Sequence, residues 1–309
     1  MRIRPLLIAV LLCTFSTLVL AQGKTVKLLT VGNSFADNAL SYLPKITEAS
    51  GNKLIYARAN LGGCTMERHW KHVENFEAGA TDKSGKPYMG GKASLKDQLT
   101  KDQWDYVTIQ QVSWKSHDLS TYHPYAQNLH SYITKHAPQA KILLQQIWAY
   151  RVDDPRFKPS NEGKEPHTHQ VMYEQVRHAY HTIAKELNIG ILPSGDAMYL
   201  ADIDPKWGFK PVEVDKSKLE HPNLPAQDHS LHTGYFWRKN KKDGTYKIHM
   251  DGHHAGKNGR YLIGCVWFEV LFNESVVDNS YVPEGMDPDY AAFLRKTAHQ
   301  AVLNLKAEK

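Results

Sequence analysis

A serine near the start of the chain and an aspartate with two histidines near its end could together perform nucleophilic catalysis. Ser34 lies in Gly32-Asn33-Ser34-Phe35, directly after the apolar run Val26 to Val31, and Asp251-Gly252-His253-His254 follows far downstream. A serine hydroxyl is a poor nucleophile at neutral pH, so an imidazole must take its proton and a carboxylate must orient that imidazole. The spacing of Asp251 and His254 reads as one short loop before a helix, so a single loop would carry both base and orienter. His253 then reads as a supporting or surface residue. Each part has a plainer use, since Ser34 could cap a helix and Asp251 could cap the helix opening near Gly256.

Two further segments could contribute. Asn60-Leu61-Gly62-Gly63-Cys64-Thr65 reads as a tight loop, and only a residue without Cβ lets the backbone approach a reacting carbonyl closely. Gln110-Gln111-Val112-Ser113 brings two carboxamides and a hydroxyl to the end of another strand. The chain has 17 histidines, which raises the question of a metal. His167 and His169 stand at a helix start with His178 and His181 further along, but no H-E-x-x-H signature accompanies them, and surface or interface histidines are the better reading. Trp114, Trp148, Tyr150, Trp207, Tyr235 and Trp237 could stack on sugar rings or pack among themselves.

The elements that must position these residues alternate between strand and helix. Lys27–Val31 is a strand, and Leu40, Leu43 and Ile46 predict a helix from about Asn38 to Ala49, stopped by Gly51. Lys53–Ala59, Tyr106–Gln110, Lys141–Ile147 and Ile189–Leu192 read as further strands, and Met66–Ala78, Tyr122–Lys135 and Thr168–Leu187 as helices. The alternation predicts an α/β fold, a three-layer α/β/α sandwich around a parallel five-stranded sheet. Ligands in such sheets bind beyond the carboxyl ends of the strands, so the segments after the first three strands should share one crevice. Asp202–Met250 breaks the pattern and reads as an insertion with a hairpin around Tyr235–Trp237 and Tyr246–Ile248, its turn formed by the basic cluster Arg238-Lys239-Asn240-Lys241-Lys242. Gly256–Phe272 and Pro288–Leu305 complete the chain as helices, the second with proline at its start.

The first 21 residues read as a removable leader, with Arg2 and Arg4 ahead of an apolar stretch from Leu6 to Leu20 and cleavage after Ala21. The mature chain, 22–309, is then a secreted or periplasmic single domain with no later membrane span. Removing the two arginines takes the formal charge from +6 to +4, too mild and too scattered to suggest a nucleic-acid partner. Cys64 and Cys265 remain and could pair in an oxidising compartment, but two cysteines cannot staple a fold, so the core must hold it.

Taken together, the strand followed by G-N-S-F, then Gly-Gly-Cys-Thr, a polar third block and Asp-x-x-His resemble the SGNH (GDSL-type) hydrolase superfamily. More narrowly, the sequence is similar to a bacterial branch with G-N-S-F in place of G-D-S-L and with D-G-x-H followed by G-x-Y-L. The resemblance covers most of the mature chain, least well the insertion, and implies a three-layer α/β/α esterase or lipase; many such enzymes remove acetyl groups from carbohydrates. It assigns Ser34 as nucleophile, His254 as base and Asp251 as orienter. It also places the Gly63 N–H in the oxyanion hole, where the N–H of Ser34 would be a second donor. The superfamily commonly takes a third donor from asparagine in G-x-N-D. Here the corresponding block is Gln110-Gln111-Val112-Ser113, so the Gln111 carboxamide is expected in that role, with Ser113 as a weaker alternative.

The resulting expectation is a cofactor-free secreted serine esterase acting on an acetylated carbohydrate or another small ester. Two rivals make different predictions. A catalytically silent glycan-binding relative would bind polysaccharide but hydrolyse no activated ester, and a metal-dependent hydrolase would be inactivated by a chelator.

Overall fold

The computed structural model describes residues 23–157 and 166–308; the predicted leader and its cleavage point lie outside them. Five parallel strands form the central sheet: β1 (Thr25–Gly32), β2 (Lys53–Asn60), β3 (Tyr106–Ile109), β4 (Lys141–Gln145) and β5 (Gly190–Leu192). Their spatial order is β2-β1-β3-β4-β5. The chain therefore leaves β1 toward one side for β2 and crosses to the other side for β3, which opens a crevice at the carboxyl end of β1. β1 carries Leu28, Leu29 and Val31 fully into the core, whereas β2, at the sheet edge, is only partly covered. A near-continuous apolar run is what a strand covered on both faces requires.

Helices α1 (Ser34–Ala39), α2 (Leu43–Ala49), α3 (Met66–Glu77), α4 (Leu95–Leu99), α5 (Tyr125–His136), α6 (His169–Leu187), α7 (Ser194–Asp202), α8 (Lys257–Phe272) and α9 (Pro288–Ala307) surround the sheet. The α/β architecture is as the alternation predicts. In place of the one helix expected from Asn38 to Ala49 there are two, because Pro44 at the start of α2 cannot continue a helix from behind and instead begins a new one. Two short helices escaped the periodicity: α4, held by a capping box between Ser94 and Asp97, and α7, which follows Pro193. Among the described residues, no helix is long and apolar enough to cross a membrane.

The segment after α7 closes into an antiparallel hairpin, β6 (His232–Lys239) with β7 (Tyr246–Ala255), in which Trp237 pairs with Ile248 and Lys239 with Tyr246. Of the basic cluster, Asn240, Lys241 and Lys242 lie in its turn, whereas Arg238 and Lys239 belong to β6 and pair with Lys247 and Tyr246. The strand β7 runs further than expected, through Asp251-Gly252-His253-His254 to Ala255, so these residues sit on a strand end and not in a loop. Its polar sequence hides it, because only pairing with β6 as far as Ala255↔His232 makes it a strand. Cys64 and Cys265 are separate buried thiols and form no disulfide. Burial pushes the Cys64 thiol up to about 12 and the Cys265 thiol higher still, which leaves both as thiols.

Candidate active site

Ser34 is the first residue of α1, immediately beyond the end of β1. Asn33 caps that helix, accepting the Phe35 N–H at 3.1 Å, and its carboxamide does two other things: Oδ1 accepts from Gln110 Nε2 at 2.8 Å and Nδ2 donates to the Cys64 carbonyl at 3.1 Å. One side chain thus ties together the segments following β1, β2 and β3. A carboxylate could accept the first two bonds but could not donate the third. From behind, the buried His69 of α3 bonds the Gly32 carbonyl through Nε2 at 3.0 Å and meets the Tyr88 hydroxyl at Nδ1, 2.8 Å away. A carbonyl can only accept, so Nε2 carries the proton and Nδ1 takes one from Tyr88. Burial depresses the pKa of His69 to about 4.

Across the crevice, Ser34 Oγ lies 2.8 Å from His254 Nε2, and His254 Nδ1 lies 2.9 Å from Asp251 Oδ2. The carboxylate can only accept, so the neutral imidazole carries its proton on Nδ1 and presents the Nε2 lone pair to the serine hydroxyl. Asp251 also accepts the N–H groups of His253 (3.2 Å) and His254 (3.0 Å) at Oδ1, where the His253 ring approaches through Nδ1 at 2.9 Å. Burial by itself would raise the Asp251 pKa. Hydrogen bonds from the two rings and the His254 N–H outweigh it and hold the carboxyl far below the ordinary carboxylate value.

The end of β7 is fixed from both sides. Asn38 of α1 accepts the Ala255 N–H at 3.0 Å, so the helix that begins with Ser34 also holds the strand that carries His254. The segment after β4 supplies the opposite support: Trp148 Nε1 donates to the His253 carbonyl at 2.8 Å and the Arg151 N–H to the Gly252 carbonyl at 2.7 Å. Asp154 packs so close that a Cβ on Gly252 would stand 2.2 Å from its Oδ2. Phe35 stacks on Trp148 at 4.5 Å and lies beside the His254 ring, giving the base an aromatic floor.

Gly63 is exposed, with φ +57, and an added Cβ would come within 3.2 Å of the Trp114 ring. The backbone conformation favours glycine there, and a Cβ would crowd the Trp114 ring. Among the described residues, the Ser34 and Gly63 N–H groups make no backbone hydrogen bond. Gln111 departs from the expected third donor. Its side chain is fully buried, Nε2 donates to the Thr121 carbonyl at 3.0 Å and Oε1 accepts the N–H groups of Met66 (3.2 Å) and Val112 (2.9 Å). The carboxamide is committed to joining α3 to the loop after β3. The weaker candidate, Ser113, is buried with its Oγ 3.3 Å from the Tyr150 hydroxyl.

The other candidate residues are dispersed. His169 faces Asp202 at 3.4 Å, and His181 lies between Asp196 and Glu308, at 4.0 and 3.6 Å. Among the described residues, the one group of three potential metal ligands is Asp251, His253 and His254, of which His254 meets Ser34. Most of the aromatics are structural: Trp148 and Tyr150 are fully buried, Trp207 packs on Tyr290 and Phe293, Tyr235 lies under the Arg151 guanidinium and Trp237 bonds the Asn223 carbonyl. Trp114, 48% exposed, is the one that meets solvent beside Gly63.

The profile of the family described as "Domain of unknown function (DUF4886)" matches residues 27–204, more than half of the chain. The chain belongs to that family. Its match covers the Ser34 segment and the Gly63 loop but ends before Asp251 and His254. Comparison with curated proteins gives no match. Among solved structures, a DUF4886 family protein from Bacteroides uniformis is 26% identical with a TM-score of 0.65, covering 90% of this chain and 95% of that one. More distant are a proposed SGNH hydrolase from Slackia heliotrinireducens (16% identical, TM-score 0.46, covering 79% of this chain and 98% of that one) and a proposed GDSL-like lipase from Parabacteroides merdae (14%, 0.44, 81% and 96%).

The supports Asn38, His69, Arg151 and Asp154 give no sign of that role in the sequence, and Trp148 was expected only to stack on a sugar or to pack. Asn33 alone left a signal, as a good N-cap residue at the mouth of a helix. The others act across long sequence separations that no local pattern reveals.

Proposed function

We propose that the protein is a serine esterase with Ser34 as nucleophile, His254 as general base and acid, and Asp251 as the residue that orients and supports His254. The observation that carries this reading is the unbroken chain from Ser34 Oγ to His254 Nε2 at 2.8 Å and from His254 Nδ1 to Asp251 at 2.9 Å. As Ser34 Oγ attacks the acyl carbon, its proton passes to His254 Nε2. The carbonyl oxygen becomes an oxyanion held by the N–H groups of Ser34 and Gly63, two backbone donors that need no reorganisation. When the tetrahedral intermediate collapses, the alkoxide leaves with the proton from His254. Water, deprotonated by the same nitrogen, then releases the acid and restores Ser34.

The substrate class we favour is an acetylated carbohydrate met outside the cytoplasm. The leader-like N-terminus supports export, and the exposed Trp114 beside Gly63 supports contact with a sugar face. The grouping of Asp251, His253 and His254 gives a metal-dependent hydrolase its best remaining basis.

Hydrolysis of p-nitrophenyl acetate by wild type and Ser34→Ala, each with and without a chelator, tests the reading. Wild type should turn over with or without chelator, and Ser34→Ala should fall by about 10⁴-fold or more. Comparable rates in the two proteins would overturn Ser34 as nucleophile, and loss of wild-type activity to the chelator would favour the metal reading.

A further inference from the structure

Two imidazoles share the Asp251 carboxylate, and the serine mechanism uses only one. The His253 Nδ1 lies 2.9 Å from Asp251 Oδ1 and the His254 Nδ1 2.9 Å from Oδ2, so each oxygen faces its own ring. The His253 ring is itself confined, with its centroid 4.0 Å from that of His254, 6.1 Å from Tyr150 in an edge-on contact and 6.3 Å from Phe35. Its backbone carbonyl is held by the Trp148 indole at 2.8 Å. A carboxylate bound at one oxygen only can turn about its Cβ–Cγ bond and lose its line to the base. Two N–H groups of the main chain reach Oδ1 from below, at 3.2 and 3.0 Å, and the His253 ring completes that side.

We propose that His253 is a positioning residue: its Nδ1–H anchors Asp251 Oδ1 so that Oδ2 stays aligned with His254 Nδ1. The inference rests on the serine esterase reading above. His253 touches neither the serine nor the oxyanion donors in this account and acts through Asp251. Because the main-chain N–H groups remain when the ring is removed, its loss should be partial. Asparagine can replace it, since its Nδ2 stands nearly where Nδ1 of histidine stands and donates a proton in the same direction.

The test compares wild type, His253→Ala and His253→Asn with p-nitrophenyl acetate, and follows the low-field proton resonance of His254 Nδ1–H by NMR. His253→Ala should lower kcat about tenfold, the scale of one hydrogen bond to a charged group, and leave KM within about twofold. His253→Asn should recover most of that loss. The low-field resonance should shift or broaden in the alanine variant and return toward its wild-type position with asparagine. Wild-type kcat in His253→Ala, or a loss that asparagine leaves unrepaired, would overturn the proposal. Should the alanine variant fail to fold, a wild-type-like rate and resonance in His253→Asn would support the anchor, whereas a disturbed resonance there would contradict it. The NMR comparison needs no turnover, so it judges His253 even if wild type proves inactive on the ester and the esterase reading fails.

Discussion

Asn33 shows what a single carboxamide does that neither a carboxylate nor a bare cap could. By accepting from Phe35 and Gln110 while donating to Cys64, it fixes three segments around Ser34. The two glutamines that follow β3 divide the remaining work: Gln110 turns to Asn33 and Gln111 to Met66 and Thr121. That two carboxamides stand at the end of the third strand was legible in the sequence. Which of them faced the nucleophile was not, because that depends on where β3 lies relative to α3. Gln111→Ala should therefore act on stability. Stripping the partner from buried N–H groups should cost about 2 kcal/mol or more, seen as a lowered midpoint in urea, with kcat changed only a few-fold. A fall in kcat of about 10² at unchanged stability would return Gln111 to the oxyanion hole. At the base, His254→Ala should approach the loss seen in Ser34→Ala and exceed that of His253→Ala by orders of magnitude, measured as kcat/KM on the same ester. The reverse ranking would mean that the two rings have exchanged roles.

Strand β7 is the element on which the site depends, and only its first part, Tyr246–Ile248, was visible beforehand. The strands of the parallel sheet show themselves as apolar runs because both faces are covered, as in Leu28, Leu29 and Val31. By contrast, the end of β7 from Asp251 to Ala255 is mostly polar and only partly buried, so it looks like a loop until β6 is paired with it. The short spacing of Asp251 and His254 was readable all the same, since only Gly252 and His253 separate them in either conformation. The strand end is pressed against Asp154, which gives a paired test. Gly252→Ala would put a Cβ 2.2 Å from Asp154 Oδ2, so it should shift the strand end, reduce esterase activity by at least tenfold and lower the unfolding midpoint. Adding Asp154→Ala removes the atom in the way and should restore part of the activity, giving a non-additive pair. Strictly additive losses would show that the contact with Asp154 is not what glycine serves.

At the scale of the whole molecule, the sheet order places β1 between β2 and β3, so the ends of these three strands converge, and this much followed from the alternation of strand and helix. The buried supports that hold the convergence did not, and one of them ties the fold to pH. His69 sits beneath Gly32, with its pKa depressed from 6.5 to about 4 by burial. Above pH 6.5 it is neutral in both the folded and the unfolded chain and contributes nothing pH-dependent. As the pH falls from 6.5 toward 4, the unfolded chain takes up a proton that the folded one refuses. Stability is then lost, by about 3 kcal/mol at most from this group. The thermal midpoint should fall across that window, and His69→Gln should flatten the slope there even if it lowers the midpoint at neutral pH. An unchanged slope in the variant would assign the acid sensitivity to other groups.

The central claim, that Ser34 is an activated nucleophile, is tested most directly by covalent trapping with a fluorophosphonate followed by peptide mass spectrometry. Attack by Ser34 Oγ displaces fluoride and leaves a phosphonyl ester on the serine, a reaction that requires the same base and oxyanion donors as ester hydrolysis. The expected result is a single adduct on Ser34, formed far more slowly in His254→Ala and absent in Ser34→Ala. Labelling at another residue that persists in Ser34→Ala, or an unmodified Ser34 in wild type after prolonged exposure, would contradict the account.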